Sequence, residues 1–297
     1  MKLDKEDVKR KFLKEFDLVG IISYQTYQEK AGLKNDNQYK SLIVVGKNYY
    51  RSQKQTGFQP ALFAQGRDYH QVMSELFSKV EMENEVSFYV DNSPFNEKLA
   101  GFLAGLGFIG HNQLLINSQY GSFFFLGICT SNLEFNSYDK PLENLSCKAC
   151  RLCERACPTK ALTPNYQKEK CKSYITQKNI IGEESNFSDD IVLGCDICQT
   201  VCPFNANLNL SQTFVENSDS FNLNELLSLS RKEFKECFKN HTYHYLSPEI
   251  IAKNIMLRLL VKKDYYELHK NKDLILNKKS LKKLYLDHEK EIENGQN

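Results

Sequence analysis

Two cysteine strings carry the chemistry that can be read first. "CKACRLCERACP" sets Cys147, Cys150, Cys153 and Cys157 in the order C-x2-C-x2-C-x3-C-P. This is the run of bacterial two-cluster ferredoxins, in which three thiolates hold one cubane cluster and the fourth crosses to its neighbour. "GCDICQTVCPFN", at 194–205, repeats the pattern with Cys195, Cys198, Cys202 and Pro203 but lacks its first cysteine. Cys171, in "KCKSYIT", is the nearby residue able to replace it. By the crossing rule one [4Fe–4S] cluster falls to Cys147, Cys150, Cys153 and Cys202, and the other to Cys157, Cys171, Cys195 and Cys198. Eight thiolates also satisfy two structural zinc sites, but the C-x3-C-P endings belong to the ferredoxin pattern. Cys129 and Cys237 lie outside the segment and are expected to be small buried hydrophobes.

Eight of ten cysteines crowded into 147–202 suit metal ligation in a reducing compartment better than a disulfide framework. The remaining bulk properties are ordinary. The chain has 297 residues, 41% of them hydrophobic, and a formal net charge of +2, so total charge selects no polyanionic partner. No run of about 18 apolar residues is present. "MKLDKEDVKRKFLKEF" has no apolar h-region of a secretory signal, so the expectation is a cytoplasmic protein away from membranes.

The elements that must position the cysteines follow from periodicity. A helix is expected at about 4–16, then apolar β-type runs at "LVGIISY" and "SLIVVG" (41–46). "RDYHQVMSELFSKVEM" has helical period, "VSFYVD" (86–91) reads as a strand, and "GSFFFLGICTS" (121–131) as another. Between the last two, "SPFNEKLAGFLAGLG" reads as a helix opened by Ser93 and Pro94 and stopped by Gly105 or Gly107. Gly105, Gly107 and Gly110 spell G-x-G-x-x-G, but they close a helix instead of opening one, which excludes the dinucleotide-binding geometry. "SPEIIAKNIMLRLL" gives a late helix, and the Lys- and Glu-rich tail 261–297 reads as a solvated helical face. Three regions are expected: an α/β domain at 1–140, a two-cluster domain at 141–210 and a helical segment at 211–297.

Taken in order, "GRDYH", "VDNSPFNEKLAGFLAGLGFIGHNQLLI", "YGSFFFLG", "CKACRLCERACPTKAL", "KCKSYIT" and "GCDICQTVCPFN" resemble the epoxyqueuosine reductase family, from about residue 60 to 205. "LLSLSRKEFKECF" and "IAKNIMLRLL" extend the likeness more weakly. The resemblance implies an α+β chain. Its N-terminal α/β domain would bind cobalamin and be related to that of reductive dehalogenases, followed by a ferredoxin-like domain with two [4Fe–4S] clusters and C-terminal helices. It implies an oxidoreductase that removes the epoxide oxygen of epoxyqueuosine at the tRNA wobble position, fed by a low-potential electron donor; a monomer is expected. The aspartate of the family's "VDT" motif, the proposed proton donor, corresponds to Asp91; His70 and Tyr174 match positions near the cofactor or substrate.

The residues themselves are compatible with that chemistry. A departing epoxide oxygen needs a carboxylic acid whose pKa lies near working pH, which calls for some burial. Asp91 also fits an ordinary turn aspartate before Ser93-Pro94. Between 148 and 172, seven lysines and arginines face two glutamates, a stretch suited to an RNA backbone or to an acidic donor. Lys253 and Asn254 match an Arg-Asn pair, a candidate tRNA contact, while His111 replaces the usual lysine. The pattern departs elsewhere: no C-terminal helical repeat is visible, and Phe108 and Phe204 stand where many relatives have tryptophan. Two other readings stay open, a corrinoid iron–sulfur reductase of a small molecule and a ferredoxin-type electron carrier.

Overall fold

The computed structural model describes residues 3–34, 36, 38–52, 56–82, 86–143, 145–180, 186–214 and 220–295. It mixes helices with short sheets and divides into two compact units, each assembled from three separated stretches of chain.

The first unit comprises Met1–Arg51, Asp68–Cys153 and Gln199–Phe214. Its sheet runs Leu18–Ser23, Ser41–Asn48, Phe124–Ser131, Ser87–Tyr89, and every pairing is antiparallel. The domain is therefore α/β in content, and among the described residues its sheet has no parallel βαβ crossover. "SLIVVG" is a continuous apolar run because its strand is interior and buried along nearly its whole length. The expected first helix is shorter, Lys5–Phe12, capped by Asp4, whose side chain accepts the Glu6 N–H.

Helix Glu97–Leu103 lays Ala100 and Leu103 on Ile22, Leu42, Val44 and Ile128 of the sheet. The approach is close: a Cβ on Gly20 would lie 2.3 Å from the Ala104 carbonyl oxygen. This helix starts later than the Ser93-Pro94 expected from sequence. The Ser93 hydroxyl accepts the Phe95 N–H and the Ser93 N–H donates to the Asp91 carbonyl, so these residues form a turn. Asn96 is the cap instead, its side chain accepting from Leu99 N–H while its own N–H donates to the buried Tyr27 hydroxyl. Gly105, at φ 70°, ends the helix as expected, and a hairpin of Phe108–Ile109 with Leu115–Ile116 follows.

The second unit comprises Ser52–Arg67, Glu154–Cys198 and Val215–Asn297. Helix Pro248–Lys262 is its axis, burying Ile251, Ile255 and Leu259 among others. The tail corrects the solvated-face expectation. Leu268, Ile275, Leu281, Leu284, Tyr285 and Ile292 are all buried in this unit's core. Lys and Glu dominate the tail's composition, yet spacings such as Leu281, Leu284 and Tyr285 put an apolar stripe on one side of the helix Lys279–Asp287.

Candidate functional site

In the first unit, Cys147, Cys150, Cys153 and Cys202 all line one cavity of about 60 Å³, with Ile116 and Phe204 among its apolar walls. Local backbone produces this convergence. Lys148 and Arg151 adopt φ of 48° and 53°, and the Cys150 N–H donates to the Cys147 carbonyl, so the C-x2-C-x2-C stretch curls around one point. Left-handed backbone costs a non-glycine residue about 1–2 kcal/mol, which the turn must offset. Gly110 lies against the cysteine loop; a Cβ there would sit 2.8 Å from Asn112 Oδ1 and 3.4 Å from Cys147 Sγ.

Cys202 is brought in by a buried polar network. Gln199 Nε2 donates to the Ser122 carbonyl and hydroxyl, and Asn205 Nδ2 donates to the Ser122 hydroxyl and the Gln199 carbonyl. The Ser122 N–H returns a bond to Asn205 Oδ1 at 2.7 Å. Burial, and then the nearby Cys147 and Cys150, push the Cys202 thiol up. Clustered thiols of this kind ionise together when a metal supplies the compensating charge. The donor set and the cavity suit an iron–sulfur cube.

Cys157, Cys171, Cys195 and Cys198 lie in the second unit. Cys171 caps helix Lys172–Thr176. Tyr166 ties two of the four together: burial raises its phenol to about 12, and next come the Cys171 thiol, which it also hydrogen-bonds, and Cys198. Burial likewise lifts Cys195 to about 12. Cys157 Sγ lies 3.5 Å from Thr159 Oγ1. Lys172, one of the seven cations between 148 and 172, is buried and paired with Asp189 at 2.7 Å, so it is no contact for an RNA backbone.

Asn254 and Lys253 are not surface groups either, which overturns their expected contact with RNA. Asn254 Nδ2 donates to the carbonyls of Thr176 and Val192, each at 2.8 Å, and Lys253 Nζ to those of Lys178 and Ile180. Both are essentially inaccessible to solvent. They hold the backbone beyond Cys171 to the strand before Cys195. Tyr174 lies in this unit with its ring flanked by Lys168 and Lys178, 5.5 and 5.6 Å from the centroid.

His70 and Asp91 are brought together in the first unit, although 21 positions separate them. His70 Nδ1 lies 2.7 Å from Asp68 Oδ1, and its Nε2 lies 3.5 Å from Asp91 Oδ2. Asp68 is buried and caps the helix Tyr69–Ser78 by accepting the His70 N–H. The Tyr69 ring stacks on Phe125 at 4.1 Å and on His70 at 4.0 Å, and its hydroxyl bonds Asp91. Burial works against the His70 charge, but the hydrogen bonds to Asp68 and Asp91 outweigh it and raise the imidazole to about 9. The same contact acts in reverse on Asp91. Its carboxyl is held below the ordinary range by the hydrogen bond from His70, against some desolvation. The expectation that burial tunes Asp91 upward is thus corrected: its side chain is 70% exposed and ionised beside a cation.

Comparison with known proteins fits these features. A family model described as a 4Fe-4S double cluster binding domain matches residues 146–205. An epoxyqueuosine reductase of Synechocystis is 32% identical over 74% of this chain and 83% of its own. The chain belongs to the epoxyqueuosine reductase family. The family protein of Francisella cf. novicida is 35% identical, over 59% of this chain and 53% of that relative. Among solved structures, the epoxyqueuosine reductase from Streptococcus thermophilus superposes with a TM-score of 0.77 at 25% identity, covering 91% of this chain and 85% of that one. A second, an epoxyqueuosine reductase with an epoxyqueuosine-modified tRNA-Tyr stem loop, gives 0.74 at 24% identity, covering 90% and 84%.

Within this epoxyqueuosine reductase family member, the site draws on residues that spacing does not single out. Asp68 is legible in hindsight as the N-cap preceding a helix. Gln199 and Asn205 stand inside the quoted cysteine string, yet nothing in the string marks their side chains as buried. Lys253 had one signal, a lysine inside the largely apolar "IIAKNIMLRLL", where a buried cation needs acceptors.

Proposed function

We propose that this chain reduces epoxyqueuosine to queuosine at the wobble position of tRNA. Cys147, Cys150, Cys153 and Cys202 hold one [4Fe–4S] cluster, and Cys157, Cys171, Cys195 and Cys198 the other. Cobalamin would be held in part by the N-terminal 1–140 domain through His70 and Asp91; Tyr174 keeps the separate cofactor or substrate role that the family resemblance gives it. When bound, it supplies the two-electron chemistry at the epoxide, fed by single electrons from the clusters. The fit to that group rests on the donor set here: a carboxylate and an imidazole, 3.5 Å apart, facing solvent. The substrate class is supported by the family name and by the stem-loop complex of the relative.

Converting an epoxide to an alkene and water consumes two electrons and two protons. One observation carries the assignment of the acid. Asp91 is ionised at rest, while His70, raised to about 9, holds a proton at neutral pH. His70 Nε2 passes that proton to Asp91 Oδ2, and Asp91 delivers it to the departing oxygen. Asp68, fixed at the Nδ1 side, keeps the ring oriented throughout. The second proton enters from solvent along the exposed Asp91 side chain. A low-potential donor in the cytoplasm supplies the electrons to a monomeric enzyme.

The deciding experiment uses anaerobically prepared protein with cobalamin, a chemical reductant and an anticodon stem-loop carrying epoxyqueuosine. The expected product lacks one oxygen by mass spectrometry. Retention of clusters and cobalamin with no change in the RNA overturns the reading in favour of a small-molecule reductase.

A further inference from the structure

Asp91 is an unusual place for a side chain that must be held accurately. Its φ is 57°, in the left-handed region, which disfavours any residue with a Cβ. Its side chain is largely exposed, so packing does not fix it. The turn that follows is short and self-bonded, with Asn92 N–H to the Val90 carbonyl and Ser93 N–H to the Asp91 carbonyl. Those bonds shape the turn without attaching it to the rest of the unit. His70 and Tyr69 meet the Asp91 carboxylate; the Asp91 backbone is held by Glu97. Its Oε1 accepts the Asp91 backbone N–H at 2.7 Å, six residues back.

The base of that contact is rigid. Glu97 is the first residue of helix Glu97–Leu103, which is seated on the sheet through Ala100 and Leu103 and anchored at Asn96 by the Tyr27 hydroxyl. A carboxylate accepting a backbone N–H makes a short, charge-assisted bond about twice as strong as a neutral one. We infer that Glu97 is a positioning residue: it clasps the Asp91 amide and so holds the Asp91 carboxylate within reach of His70. Its own carboxylate points at the backbone, and no proton need pass through it. The inference rests on the proposed role of Asp91, but the clasp itself is a property of the folded chain.

The groups facing Glu97 are the Asp91 amide, the Asp91 carboxylate, the His70 ring and the Tyr69 phenol. Burial, and then the Asp91 charge, raise the Glu97 carboxyl to about 7, partly opposed by the amide bond and the His70 cation. The clasp is therefore strongest above neutral pH and weakens as the acid form accumulates.

Two variants of the holoenzyme test this, Glu97→Ala and Glu97→Gln. The first readout is hydrogen exchange of the 90–95 backbone, corrected for intrinsic rates. It needs no turnover, so it stands even where the chain proves inactive on epoxyqueuosine. Loss of a charge-assisted bond should speed Asp91 amide exchange about 10-fold or more in Glu97→Ala, while Glu97→Gln, which keeps an acceptor oxygen, should retain most of the protection. The second readout is kinetic. Glu97→Ala should lower kcat on the order of 10- to 100-fold, as misplacement of a reacting group does, with KM for the stem-loop unchanged, and Glu97→Gln should restore most of it. Unchanged exchange in Glu97→Ala overturns the clasp. Normal protection in Glu97→Gln with kcat as low as in Glu97→Ala overturns the positioning role, because the carboxyl would then be carrying a proton.

Discussion

The cysteine loop at 147–153 and the turn at Asp91 both use left-handed backbone, yet they are held in opposite ways. Lys148 and Arg151 curl a chain whose thiols converge on an apolar cavity, and neighbouring residues supply the closure. Asp91 points into solvent and depends on side chains from elsewhere: His70, Tyr69 and Glu97. A cluster ligand needs only a thiolate at the right distance, and bonds to the metal then lock it. A proton donor needs a tuned charge and a defined direction, and the fold alone must provide both. The first kind of site is robust to its surroundings, the second sensitive to each of them.

Removing one cluster ligand is the severest test. Cys171→Ser should lower the iron content of anaerobically prepared protein from about eight to about four, the content of a single cubane, with the other cluster still visible by EPR. Turnover should vanish with it. A full iron complement would separate Cys171 from the ligand set and leave the second cluster without its displaced fourth thiolate.

Asp91→Asn keeps the shape and removes the acid. Clusters and cobalamin should be retained, while turnover should fall about 10²- to 10⁴-fold, the usual worth of general acid catalysis. Pre-reduced cobalamin should not rescue it, since the missing step is delivery of a proton. Activity within a few-fold of the parent would return Asp91 to an ordinary turn residue.

The pairing of His70 with Asp91 gives a pH signature. The imidazole is raised to about 9, so it is charged below that value and loses its proton above it. Turnover should decline as pH rises from above neutral through about 9. The sign is the same for stability: the ion contacts contribute fully below the unfolded imidazole value of about 6.5 and are lost as pH rises toward 9. His70→Gln should lower turnover and erase that alkaline limb. Persistence of the limb in His70→Gln would assign it to another group.

The contrast between the sites also accounts for what the sequence could disclose. Ligand spacing is local, so the convergence of Cys147, Cys150 and Cys153 was legible from two intervals, and Cys202 from the crossing rule. The ionisation of Asp91 was not, because it depends on His70, which lies 21 positions away and is itself set by Asp68. Strands and helices were legible where the apolar pattern was strong, as in the continuous run at Ser41–Asn48 and the helical period at Tyr69–Ser78. The start of helix Glu97–Leu103 was misplaced because Ser93-Pro94 is an equally good turn, and the Tyr27 hydroxyl that spends the Asn96 N–H comes from 69 residues away. Tail burial was missed because lysines outnumber the leucines that make its stripe.

Asn254 gives the smallest predicted effect and separates two explanations of one residue. As an RNA contact its loss would raise KM for the stem-loop and reduce the dependence of binding on salt. Here it is fully buried, bridging the Thr176 and Val192 carbonyls, which lie on the segments carrying Cys171 and Cys195. Asn254→Ala leaves both carbonyls without that donor, at a cost of about 1–3 kcal/mol for each buried group left unpaired. The expected outcome is a lower midpoint in denaturant with KM unchanged. Iron release by a chelator should be faster by a few-fold and confined to the cluster assigned to Cys157, Cys171, Cys195 and Cys198. Equal lability of both clusters would mean that Asn254 stabilises the chain generally, without a particular hold on the displaced ligand.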